Sequence, residues 1–359
     1  MLAPTAAILS SKMTATITGE DLVLTRVRRA LDAACRGSLP LRVAIGDDAA
    51  VWHPHAGYES VVTCDWFLEG THFLRDRHPP HAVGWKCLAR AVSDLAAVGA
   101  KPRCFLLSLA LPLRLTGSWL EKFLQGLRSA SRKLECPAAG GDTTRREQVL
   151  INVTAIGECR RGRAVLRRGA KPGDVILVSG RLGEAEYGLR LVREGRGRVD
   201  PREPRLRKHL YPEPRLAVGA WLAERRLATA MMDLSDGLSS DLPRLCRASG
   251  VGARIEESRM PLVRLAKSDA PRLDALAAAL HGGDDYELLF TSAPKSVAKI
   301  PSEIAGVRLT RIGEITAARK IALVAPDGRY RQLTELGWDP FRQRYRPPRA
   351  ATSFLGAPR

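Results

Sequence analysis

Short apolar runs that break off at an acidic residue recur along this chain, and no other feature restricts its fold as much. In residues 61–73, Val61 and Val62 open a strand that delivers Asp65, and Glu69, Gly70 and His72 follow in a polar loop. Residues 43–51 place Asp47 and Asp48 behind a similar apolar start. Ser93-Asp94, Gly140-Gly141-Asp142, Asp233-Leu234-Ser235-Asp236-Gly237 and Gly282-Gly283-Asp284-Asp285-Tyr286-Glu287 repeat the theme. A strand that hands a carboxylate to a loop is how α/β proteins build cation and phosphate sites. The expectation is that these acids converge on metal-bound phosphate.

With 359 residues the chain exceeds what one core usually supports, so two domains are expected. No run approaches the ~18 apolar residues of a membrane helix, and residues 1–13 lack the basic start of a signal peptide. Cytoplasm and no membrane partner follow as the default. Seven cysteines are scattered with no Cys-x-x-Cys spacing, which argues against a disulfide framework and against structural zinc. The net charge of +19 raises the question of nucleic acid. The arginines are spread along the whole chain and aromatics make up only 5%, so no stacking surface is expected and no nucleic acid is assigned. A phosphorylated small substrate would also welcome a positive field.

Periodicity places the elements. Leu22, Val23, Val27, Leu31 and Ala34 share one helical face, and 81–98 and 119–133 read as amphipathic helices. Strands are expected at 41–45, 60–63, 104–111 and 149–157, with 137–142 as a glycine-rich loop. Past a Gly/Pro-rich break near 160–173 come a strand at 175–178, a helix ending near Arg193, and an Arg/Gly/Pro-rich loop or linker at 195–215. Helices at 216–225, 238–249 and 273–280 then alternate with strands at 228–232, 253–255, 286–291, 308–315 and 321–324. The fold class is α/β or α+β, with an N-terminal α/β domain over 19–165, a C-terminal α/β domain over 166–345, and disordered tails at 1–18 and 346–359.

Taken singly, the acidic motifs are ambiguous. Gly46-Asp47-Asp48 and Gly140-Gly141-Asp142 fit tight turns as readily as ligand loops. Ser93-Asp94 sits mid-helix between Val92 and Leu95, which argues against a fully solvated position. In Asp233–Gly237 a helix cap by Ser235 or Asp236 competes with a ligand role. No Walker loop, kinase glycine loop or dinucleotide fingerprint is present, so an ATP user of this kind would hold its phosphates through metals.

Order and spacing together resemble the thiamine-monophosphate kinase family, a relative of aminoimidazole ribonucleotide synthetase, selenophosphate synthetase and a hydrogenase maturation protein. The resemblance runs from Gly19-Glu20 to Gly337-Trp338-Asp339-Pro340-Phe341. It is carried by Ile45-Gly46-Asp47-Asp48, Asp65, Glu69-Gly70-Thr71-His72-Phe73, Ser93-Asp94-Leu95, Gly140-Gly141-Asp142-Thr143-Thr144-Arg145, Gly169-Ala170-Lys171-Pro172-Gly173-Asp174, Asp233 to Leu238, and Gly282 to Leu289. It implies ATP-dependent phosphorylation of thiamine monophosphate to thiamine diphosphate, assisted by several magnesium ions. Carried over residue by residue, Asp48, Thr63, Asp65, Asp94, Asp142, Asp233 and Asp236 resemble magnesium ligands. Gly141, Asp142, Arg167 and Ser235 resemble ATP contacts, and His72, Asp284 and Trp338 resemble substrate contacts. The implied architecture is a two-domain fold like that of aminoimidazole ribonucleotide synthetase, with N-terminal sheets pairing in a homodimer. Asp284 stands where the family usually has glutamate, and Ala91 and Ala49 also depart from its pattern.

The chemistry suits this reading. The attacking atom is an oxygen of an already anionic phosphate, so no strong general base is needed, and no catalytic base is assigned. Two polyanions must be held in line, which many carboxylates with bound cations accomplish. The alternatives are an enzyme of the same superfamily acting on another small substrate, and a basic binding protein. The second predicts salt-dependent nucleic-acid binding that survives loss of Asp65 and Asp236.

Overall fold

The computed structural model describes residues 20–32, 41–43, 49–195, 199–269 and 271–341. The chain divides into two compact units, one built from residues through Leu95 with Ala100–Gly162 and Gly195–Pro201, the other from Ala96–Gly99, Arg163–Glu194 and the chain from Arg202 onward. The tails expected at 1–18 and 346–359, and Asp48, lie outside the described residues.

The first unit contains α1 (Glu20–Asp32), β1 (Leu41–Val43), β2 (Val51–Trp52), β3 (Tyr58–Leu68), α2 (Pro80–Ala97), β4 (Lys101–Leu111), α3 (Ser118–Lys133), β5 (Ala138–Arg145) and β6 (Leu150–Arg160), the last two residues of α2 belonging to the second unit. Its four-stranded sheet runs β3-β6-β4-β5. Strand β3 pairs antiparallel with β6 over its full length, from Tyr58 opposite Arg160 to Leu68 opposite Leu150. The strand therefore does not stop at Asp65, as its acid suggested, but carries Asp65 in its interior. Side chains alternate across it: Val61, Thr63 and Asp65 are half-buried and Phe67 is buried, whereas Val62, Cys64 and Trp66 are exposed. Helix α3 buries Trp119, Leu120, Phe123, Leu124 and Leu127, and α2 buries Leu88, Val92 and Leu95.

Residues 138–145 form a strand rather than the expected glycine-rich loop. They run parallel to β4, with Gly141 opposite Leu107 and Asp142 opposite Ser108. Glycine is required there by close approach, since a Cβ on Gly141 would sit 1.9 Å from the Leu107 carbonyl oxygen. The Ala-Ala-Gly-Gly-Asp start of this strand has little β-propensity of its own and depends on its neighbour.

The second unit contains β7 (Val175–Ser179), α4 (Glu184–Glu194), α5 (Arg207–Leu210), α6 (Leu216–Arg225), β8 (Ala230–Leu234), α7 (Leu238–Ser249), β9 (Gly252–Glu256), α8 (Ala275–His281), β10 (Glu287–Ser292), α9 (Pro294–Val297), β11 (Glu303–Ile304), β12 (Val307–Thr316), β13 (Ile321–Val324) and β14 (Tyr330–Gln332). The sheet order is β14-β13-β9-β12-β7-β10-β8, with β11 on β12. Its pairs are antiparallel except β13 with β9. Strands β7, β8 and β10 are buried throughout, as expected of strands covered on both faces. Alternate residues feed two cores. Ile176, Val178, Met232, Leu234 and Leu289 pack with Leu238, Leu242 and Leu245 of α7. Val175, Leu177, Met231, Leu288 and Phe290 pack with Val218 and Leu222 of α6. This unit is a mixed sheet between helical layers.

Part of the segment read as a linker is structured. Helix α5 follows a 3-10 turn, and Leu206, His209 and Leu210 are buried. High Arg and Pro content concealed it. Among the described residues, no helix is long and apolar enough to cross a membrane.

Candidate active site

The candidate residues fall into two sets. In the first unit, register sorts them. Thr63 and Asp65 stand two residues apart on β3 and so share a face, level with Ala155 and Val153 of β6. Helix α2 adds Asp94, and Thr63 Oγ1 donates to Asp94 Oδ2 at 2.5 Å. The Arg90 guanidinium, one helical turn earlier, lies 3.6 Å from Asp65 Oδ2 and over the Phe67 ring, 5.4 Å from its centroid. Asp142 is exposed and lies one register step from Gly141, in the row of Ser108, Asn152 and Trp66. Strand alternation therefore assigns Asp142 to the opposite face from Thr63 and Asp65.

The loop after β3 is shaped by Glu69. One carboxylate oxygen accepts from Arg75 Nε at 2.6 Å and the other from the Val149 amide at 2.8 Å. The turn presents His72, whose Nδ1 accepts the Leu68 amide proton at 3.0 Å. A neutral ring accepting at Nδ1 carries its proton on Nε2 and is a donor there. The Glu69-Gly-x-His spacing was visible as a motif; its anchoring partners were not.

In the second unit, candidate residues from three separate segments of the chain are drawn together. Strand β8 ends in Leu234, and three successive carbonyls then receive main-chain donors from distant segments. The amide of Tyr286 donates to Leu234 O at 2.9 Å, that of Asp284 to Ser235 O at 2.8 Å, and that of Trp338 to Asp236 O at 3.0 Å. Asp233 is buried on β8 opposite Leu288. Trp338 is 44% exposed, so its ring is open to a ligand. Arg167 is exposed, and its carbonyl accepts from Ser249 Oγ at 3.2 Å.

Several residues here escaped the sequence reading. Asp241, in the first turn of α7, accepts from the amides of Ser235 at 3.1 Å and Asp236 at 3.0 Å. Burial, reinforced by the charge of Asp236, pushes its carboxyl up to about 7. Arg244 joins Asp241 at 2.7 Å to Asp236 at 2.5 Å. The i, i+3 spacing of Asp241 and Arg244 after Asp236 was the available signal. Asp285 and Glu287, read in the sequence among the acids that converge on phosphate, are instead buried in structural contacts: Asp285 accepts from the Gly183 amide at 2.6 Å and the Ala185 amide at 3.0 Å, capping α4, and burial pushes it up to about 7. Glu287 is wholly buried, contacts Lys208, and accepts two hydrogen bonds from Arg215 at 2.6 and 2.7 Å and one from Ser179 Oγ at 2.5 Å. Burial alone would raise its pKa, but Lys208 and Arg215 outweigh it and hold the carboxyl at about 2. Its cations lie in the stretch read as a linker.

The donor set is suited to a hard cation. Thr63, Asp65 and Asp94 offer only oxygen, and so do Asp233 and Asp236. Among the described residues no group of three or more His, Cys, Asp or Glu is disposed to hold an ion. Magnesium does not need one, since it commonly takes one or two carboxylates together with substrate phosphates and water.

Comparison with known proteins gives these positions a context. Residues 46–159 match the family model of the AIR synthase related protein N-terminal domain, and residues 171–325 match that of its C-terminal domain. A thiamine-monophosphate kinase of Synechococcus elongatus is 38% identical over 304 residues, covering 81% of this chain and 91% of the relative. The crystal structure of thiamine-monophosphate kinase from Stenotrophomonas maltophilia superposes with a TM-score of 0.71 at 34% identity, over 86% of this chain and 96% of that one. AaThiL complexed with AMPPCP and TMP superposes with a TM-score of 0.69 at 30% identity, over 90% and 99%.

Proposed function

The chain belongs to the thiamine-monophosphate kinase family, and on that premise we propose that it transfers the terminal phosphoryl group of ATP to thiamine monophosphate, giving thiamine diphosphate. The observation in this molecule that carries the reading is the brace at the end of β8. The Ser235-Asp236 turn, Asp284 and Trp338 lie far apart in sequence, yet consecutive carbonyls bind them into one element.

The division of labour follows from the residues. His72, Asp284 and Trp338 are assigned to thiamine monophosphate. His72 offers an N–H donor to phosphate, Trp338 an exposed aromatic face to the rings. Gly141, Asp142, Arg167 and Ser235 are assigned to ATP. Asp48, Thr63, Asp65, Asp94, Asp233 and Asp236 would hold magnesium, whereas Asp142, which the resemblance placed among these ligands, lies on the opposite face of its sheet from Thr63 and Asp65 and does not share their ion. When bound, that cation screens the repulsion between the two phosphorylated reactants and orients them. Arg90 and Arg244 hold Asp65 and Asp236 in place as charged partners. Since the acceptor oxygen is already anionic, the protein's task is alignment rather than proton removal.

Residues 19–165 and 166–345 are assigned as the two domains, and the cytoplasm as the location. A homodimer through the N-terminal sheet is supported by the outward row of β3, where Val62 is 63% and Trp66 is 55% exposed. A second copy of this chain set against that face would cover them.

A coupled assay tests the activity. Purified protein with ATP, magnesium and thiamine monophosphate should form thiamine diphosphate, and Asp65→Asn or Asp236→Asn should lower kcat by about 100-fold or more. Turnover of another phosphorylated acceptor with none of thiamine monophosphate would overturn the substrate assignment.

A further inference from the structure

We propose that Tyr286 is a positioning residue that sets the carboxylate of Asp284 toward the substrate, an inference that rests on the thiamine-monophosphate reading above. Tyr286 Oη donates to Asp284 Oδ1 at 2.7 Å. The two residues are not neighbours on a regular strand. Both lie in the left-handed region, Asp284 at φ 67° and Tyr286 at φ 49°. For a tyrosine this is a strained backbone, which persists only where the surroundings over-determine it.

Three contacts impose it. Asp285, between them, is locked inward by the Gly183 and Ala185 amides. The Asp284 amide is tied to Ser235 O and the Tyr286 amide to Leu234 O. With the middle side chain drawn in and both flanking amides fixed to β8, the Tyr286 ring is buried at 2% exposure and its hydroxyl reaches the preceding carboxylate. Asp284 itself is half-buried. A rigid phenol thus orients a short carboxylate on a turn whose next-door brace carries Trp338.

The role concerns one substrate, and that makes it separable from mere stability. Tyr286→Phe keeps the ring and removes the donor. It should raise KM for thiamine monophosphate about tenfold while leaving KM for ATP near its original value. Asp284→Asn should raise the same KM, and the double variant should lose no more than the larger single loss, as expected for residues acting as one unit. An unchanged KM for thiamine monophosphate in Tyr286→Phe, or losses that multiply in the double variant, would overturn the proposal. Should Tyr286→Phe not accumulate as folded protein, Asp284→Asn decides alone: unaltered binding of thiamine monophosphate to it overturns the role. Absence of turnover by the unaltered chain would count against the activity itself, whereas turnover with an unchanged KM in Tyr286→Phe counts against the positioning role only.

Discussion

The Trp338 amide donates to the Asp236 carbonyl oxygen at 3.0 Å, tying the late Gly-Trp segment to the turn after β8. Gly337 makes this approach possible, because a Cβ there would stand 2.2 Å from Asp236 O and 2.4 Å from Ser240 Oγ. Gly337→Ala should therefore displace Trp338. We expect KM for thiamine monophosphate to rise several-fold, with a stability loss of about 1–3 kcal/mol from overpacking. Steady-state kinetics and urea denaturation check both, and a variant with unaltered KM would separate Trp338 from the substrate.

Thr63→Val keeps the shape of a side chain on β3 and removes the donor to Asp94. Loss of a hydrogen bond to a charged group should cost on the order of 1.5–3 kcal/mol. The magnesium concentration for half-maximal activity should rise as well, because a threonine oxygen is removed from the assigned ligand set. Magnesium binding measured calorimetrically, without turnover, would show the second effect by itself.

Glu287 should govern acid stability. Its folded pKa of about 2 lies below the ordinary glutamate value, so its contribution is present above that ordinary value and lost as pH falls through about 2. Glu287→Gln should destabilise the protein at pH 7 by about 3–5 kcal/mol, because Lys208 and Arg215 lose their buried carboxylate. The difference from the unaltered chain should shrink at low pH. Urea midpoints at pH 7 and pH 3 measure it, and equal differences at both would refute the account.

Asp285 should act in the opposite sense. Burial raises its folded pKa to about 7, above the unfolded value, so the folded state favours the protonated form. Stability from this group is greatest in acid and declines as pH rises from about 4 to about 7. Relative to the unaltered chain, Asp285→Asn should become progressively more favourable across that window. Urea midpoints at pH 5 and pH 8 for both proteins test it; a difference independent of pH would show that the carboxyl does not titrate in the fold.

Periodicity was enough for the long helices and for the buried strands β7, β8 and β10, because a repeat of 3.6 or a short apolar run reports burial directly. It was not enough for β5, whose Ala-Ala-Gly-Gly start reads as a turn until β4 lies beside it. Nor did it show that β3 continues through Asp65, since an acid inside a strand looks like a strand end when its partner is unseen. The site divides in the same way. Motif spacing named Asp65, Asp94, Asp236, Asp284 and Trp338, while Arg90, Asp241, Arg244 and the partners of Glu287 came only from contacts.

By itself the sequence determined the family, the positions of the acidic motifs, and the two-unit α/β plan, because residue type and local period are properties of the chain alone. Tertiary structure decided the rest: which face of β3 Asp65 shares with Thr63, which carbonyls hold Asp284 and Trp338, and which cations neutralise Glu287. Those depend on strand register and on groups brought together from distant segments, and neither is encoded in any local stretch.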